Sequence, residues 1–139
     1  MKSLILAALL ITACPLVAET PPEQQRSELR ETMHTFVTAL DMIQDGILYN
    51  SSEKMNEGLA ILKSTEHDFL KRHGSTLQQY MSEDPTFALS YARNAADKLH
   101  EHIRSLDNEV RYQRKYSDTA AIYGRIIQLC TECHQKFRK

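Results

Sequence analysis

The chain has 139 residues, with 42% hydrophobic and 25% charged side chains, which is apolar content for one small core and a single domain. Its formal net charge is −1 with no basic stripe, which argues against a nucleic-acid partner. Four glycines, four prolines and no tryptophan favour long helices over strands and turns.

Residues 1–18 read as a secretory signal peptide. Lys2 gives a short positive region, residues 4–11 form an apolar run too short to span a bilayer, and Leu16-Val17-Ala18 offers a small residue at a cleavage point. The mature domain then covers 19–139, and the expected location is the periplasm. A competing reading makes Ile11-Thr12-Ala13-Cys14 a lipoprotein box with lipid on Cys14; the short apolar run and Pro15 weigh against it. Cleavage after Ala18 removes Cys14, leaving Cys130 and Cys133 with no partner but each other or a cofactor.

Thr20-Pro21-Pro22-Glu23 is a helix start, with a capping threonine, proline in the first turn and an acidic residue to complete a capping box. Leu29, Met33, Phe36, Leu40, Ile43 and Ile47 follow at intervals of three and four and predict one amphipathic helix to about Tyr49. Asn50-Ser51-Ser52-Glu53 repeats the cap, and Met55, Leu59, Leu62, Phe69 and Leu70 carry a second helix that Gly74 closes. Glu66 interrupts its stripe. Residues 74–83 then read as a loop with a short turn near Leu77 to Tyr80. Asp84-Pro85 starts a third helix bearing Ala88, Ala92, Ala95, Leu99, Ile103, Leu106 and Val110. Ser117-Asp118 starts a fourth, whose inner face carries Ile122, Ile126, Leu129, Cys133 and Phe137. Four helices with short connections predict an all-α, up-down-up-down four-helix bundle.

The chemistry lies at the end of the last helix, in Cys130-Thr131-Glu132-Cys133-His134. Cys-x-x-Cys-His is the attachment pattern of c-type haem: two thiols add to the haem vinyl groups, and the following histidine binds the iron. Two intervening residues on a helix put both sulfurs on one side. A thiol-disulfide redox pair would open a helix after a strand, where the helix terminus lowers the thiol pKa; here the pair ends a helix. A zinc site would need a second pair of ligands at short spacing, and none is present. A structural disulfide within one helix is poor geometry. The export signal agrees with haem, which is attached after export. One haem c is therefore expected near the C-terminal helix.

In an up-down bundle the start of the first helix and the end of the last share one end. Met33 is the candidate sixth iron ligand, with His34 as the alternative, and an open site lined by Leu29 and Phe36 remains a third arrangement. His67, His73, Phe87 and Tyr91 are neighbours of that end; His73 reads as a helix C-terminal charge, and His100 and His102 as structural histidines.

The stretch from Cys130 through Gln135-Lys136-Phe137-Arg138 resembles the cytochrome c′ and cytochrome c-556 family, as does Arg30 preceding Met33 on the first helix. The resemblance implies an exported four-helix bundle with haem near the C-terminus and Arg138 close to the haem histidine. It also implies either a methionine ligand from helix one or an open site that admits small gases. In the family the helix-one arginine and methionine usually stand four apart; here Arg30 and Met33 are three apart, and His34 holds the fourth place. The tryptophan often found early in helix three is absent, with Phe87 in the corresponding region.

The expected function is a periplasmic monohaem cytochrome c that carries single electrons and is not an enzyme. Its partners would be redox proteins docking transiently around the haem edge near Lys136, Arg138 and Lys139, and the haem-attachment machinery. The family often forms dimers through its first two helices. The alternative is a high-spin haem protein binding nitric oxide or carbon monoxide. A peroxidase-like role, with His34 and Arg30 over an open iron, has little support.

Overall fold

A computed structural model describes residues 22–80, 84–112 and 115–137. The signal-peptide, lipidation and Thr20 cap readings, and Arg138 and Lys139, fall outside these residues.

The described chain is all-α, with five helices: α1 (Pro22–Leu48), α2 (Ser52–Glu66), α3 (Phe69–Tyr80), α4 (Pro85–Arg111) and α5 (Tyr116–Phe137). None is long and apolar enough to cross a membrane. The predicted starts are supported by capping bonds. The Ser51 side chain accepts from the Lys54 amide at 3.3 Å, and Asp84 accepts from the amides of Thr86 and Phe87 at 2.8 and 3.2 Å. Each cap satisfies amides that the helix itself cannot.

The helix expected to run from Ser52 to Gly74 is instead two. Helix α2 stops at Glu66, and Asp68 takes a left-handed φ of 60°, which a helix cannot contain. Helix α3 then covers most of the stretch expected to be loop. Gly74 does not close a helix; it lies buried inside α3.

The packed helix pairs run antiparallel, as side-chain pairs along each seam show. On α1 and α2, Asp45 meets Lys54 at 3.1 Å, while Gly58 sits against Ala39 and Ile43. On α2 and α4, Lys63 meets Asp107 at 3.2 Å and Glu66 meets His100 at 3.3 Å. Helix α3 continues the direction of α2 along α1: Phe69 packs edge-on against Phe36, and His73 bonds to Thr32. Helix α5 runs back along both α4 and α1, with Tyr91 beside Phe137 and the Tyr123 hydroxyl donating to Gln44 at 3.1 Å.

The main core joins α1, α2, α4 and α5 through Ile43, Leu59, Leu62, Leu106 and Ile126, all essentially inaccessible. Each such side chain contributes roughly 1.5–3 kcal/mol by leaving water. A smaller cluster of Leu29, Leu77 and Ala92 ties α1, α3 and α4 at the other end, with Met33, Phe69 and Phe137 packed against it.

Candidate functional site

Cys130 and Cys133 stand three residues apart on α5, about 4.5 Å along its axis. Both are half-buried free thiols. Cys130 packs against the main core. Cys133 lies beside Tyr91, whose ring is 5.9 Å from Phe137 and 6.2 Å from Phe87 between centroids. Phe87 is 53% exposed, so this aromatic row opens to the surface next to a thiol. Burial pushes the Cys130 thiol up, and burial together with the neighbouring Cys130 pushes Cys133 to about 11. Both therefore stay protonated near neutrality. That is the reverse of a disulfide-exchange pair, whose attacking thiol is acidified by a helix N-terminus or a cation.

His134 is exposed in the last turn of α5. Its ring makes no hydrogen bond or ion pair to another described residue, so both nitrogens are open to a new partner. Met33 is half-buried and packs against both clusters. It packs against the main cluster as Cys130 does and against the smaller one as Phe137 does. His34, one residue on, is exposed and turned away from this packing, as is Arg30. Leu29 and Phe36 are buried on the Met33 side of α1.

The other histidines separate in character. His67 is exposed at the α2–α3 break, 3.7 Å from Asp68. His100 pairs with Glu66 on the surface. His73 is not a helix-end charge: it is 3% exposed inside α3, and its Nε2 lies 2.9 Å from Thr32 Oγ1. The Thr32 hydroxyl donates to the Glu28 carbonyl at 3.0 Å, so the imidazole is the donor to Thr32. Burial first, and Arg72 second, push the His73 pKa below its ordinary 6.5, with Glu28 opposing in part. Nothing in the hydropathy pattern signalled this histidine, because a polar residue in an apolar position reads as an interruption.

Among the described residues no three His, Cys, Asp or Glu side chains converge on a common metal position. The end of α5 presents two neutral thiols and one exposed imidazole, with aromatic side chains alongside. No protein-family model matches the chain, and comparison with curated proteins and with solved structures finds no match.

Proposed function

We propose that the mature chain is an exported monohaem c-type cytochrome that carries single electrons, built as an up-down bundle of four arms, with α2 and α3 forming one bent arm. The observation that carries this reading is Cys130-x-x-Cys133-His134 on the final turns of α5, both thiols unpaired and protonated and the imidazole unpartnered.

Haem bound there would supply a one-electron couple at its iron. The residues have distinct tasks. Cys130 and Cys133 would hold the group to α5 through thioethers, the S–H adding across a vinyl double bond with no oxidant needed. His134, held next to Cys133 by the helix itself, would offer an imidazole nitrogen to the iron. Tyr91 and Phe137 would offer ring surface beside the Cys133 attachment. Arg138 follows the site in sequence.

Met33 is favoured over His34 as a further iron ligand because it is the one packed against both hydrophobic clusters. A methionine there would raise the redox potential relative to a second histidine. The buried, apolar Leu29 and Phe36 favour the second reading: if Met33 stays off the iron, they line an open site for nitric oxide or carbon monoxide. Optical spectra of the exported protein, with and without carbon monoxide, separate the two. A low-spin spectrum indifferent to the gas, lost in Met33→Leu and kept in His34→Leu, supports the carrier. A high-spin spectrum that shifts with the gas selects gas binding.

A further inference from the structure

A groove of about 530 Å³ opens between the first half of α1, the end of α2 and the start of α3, away from the Cys130–Cys133 thiols. Its size is that of a small-molecule site. Opposite charges line it. Glu28 and Glu31, one turn apart on α1, form one wall, and Arg72 on α3 lies on the other. Neither carboxylate comes within ion-pair distance of the guanidinium. Arg72 Nη2 donates to the Thr65 carbonyl at 3.0 Å, in the last turn of α2. Between the walls sits the buried His73, whose imidazole feels Arg72 and Glu28 together.

The hydroxyls of the groove are oriented too. Thr35 donates to the Glu31 carbonyl at 3.1 Å, and Ser64 and Thr65 both donate to the Ile61 carbonyl, at 2.9 and 2.7 Å. Each hydroxyl proton is thus committed to its own helix, leaving oxygen lone pairs for the groove. The surface offers hydroxyl and carboxylate acceptors toward a donor-rich ligand and one fixed guanidinium for an anion.

We infer that this groove binds a small zwitterion carrying an ammonium and a carboxylate, the ammonium at Glu28 and Glu31 with the nearby hydroxyl oxygens, the carboxylate at Arg72. A guanidinium matches a carboxylate's geometry, and an ammonium brings three donors to a surface of acceptors. The site owes nothing to the haem and stands whether or not the chain carries one.

The test is calorimetric titration of the full mature protein with ω-amino carboxylates of increasing length: glycine, 4-aminobutyrate and 6-aminohexanoate. The matching alkylamines and alkanoates serve as single-charge controls. The expected result is saturable binding of at least one zwitterion, at least tenfold tighter than either control of its length. Arg72→Gln should weaken it at least tenfold, and so should Glu28→Gln with Glu31→Gln. Circular dichroism of each variant verifies the fold, and amide shifts at Thr35 and Thr65 locate the site independently of the substitutions. Absence of binding across the series overturns the inference. So does equal binding of the amines, which would mean a plain acidic face, or of the alkanoates, which would mean Arg72 alone.

Discussion

Gly58→Ala tests the packing that holds the α1–α2 hairpin. A β-carbon built on Gly58 falls 2.7 Å from the Ala39 carbonyl oxygen, 2.7 Å from Ile43 Cγ1 and 3.0 Å from the Ile43 nitrogen. Two of those atoms are backbone and cannot rotate away, and Ile43 is fully buried. Relief requires α1 and α2 to separate by several tenths of an ångström, which loosens contacts of Leu59 and Leu62 in the same cluster. Overpacking of this kind costs about 1–3 kcal/mol, against a helix-propensity gain of about 1 kcal/mol for replacing glycine by alanine. The net is a loss of up to about 2 kcal/mol, or a fall in Tm of up to roughly 8 °C. Gly124→Ala is the internal control. Nothing lies within 4 Å of its added carbon, so the propensity gain stands alone and Tm should rise by a few degrees, ~1 kcal/mol. Thermal melts followed by circular dichroism read both. A Gly58→Ala protein that gains as much in Tm as Gly124→Ala refutes the close approach of the two helices.

Other expectations follow from single contacts. His73 has a lowered pKa in the folded state, so as pH falls through 6.5 the unfolded chain takes up a proton that the folded protein refuses. Stability should decline from 6.5 down to the folded pKa and level off below it; urea titrations at about pH 7.5 and about pH 5 should show a larger loss for the parent than for His73→Gln. An equal loss in both would contradict the assignment. Thr32→Val strands the His73 N–H in a buried place and should cost about 1–3 kcal/mol in the same titration, whereas Thr35→Val, whose hydroxyl holds no buried partner, should cost less. Leu62→Ala opens a void in the main core and should cost about 2–5 kcal/mol. In the haem-free chain, iodoacetamide should alkylate Cys133 slowly near neutrality, the rate climbing with pH toward about 11; fast modification at pH 7 would show an acidified thiol.

Much of the fold was legible because most buried positions are apolar and regularly spaced. Leu29, Phe36, Leu40 and Ile43 on α1, and Ala88, Ala92, Ile103, Leu106 and Val110 on α4, are buried as their periodicity predicts. Asp84 and Ser51 cap where their side-chain chemistry says. The stretch from 66 to 80 was not legible for a physical reason. Phe69, His73, Thr76 and Leu77 do keep helical spacing, but two of them are polar, so hydropathy sees a broken stripe. Their burial is made tolerable by partners distant in sequence, Thr32 for His73 and Gln25 for Thr76 at 3.4 Å, and no local pattern encodes such bonds. The break at Asp68 was equally silent, since a left-handed aspartate leaves no trace beyond its residue type. At the candidate site, the motif named Cys130, Cys133 and His134 outright. Met33 and His34 differ by one place on a helix, and burial rather than spacing separates them. The groove at Arg72 was beyond reach, because it is assembled from three helices whose junction the sequence does not announce.

The central claim is that haem is bound covalently through Cys130 and Cys133. The most direct measurement is denaturing electrophoresis of the exported protein, made in cells with haem-attachment machinery, followed by a peroxidase-based haem stain and an intact mass. The expected result is a stained band and a mass equal to the mature chain plus one haem, both lost when Cys130 and Cys133 are changed to serine. An unstained band with the bare chain mass, or a stain that survives in the double serine variant, would contradict it.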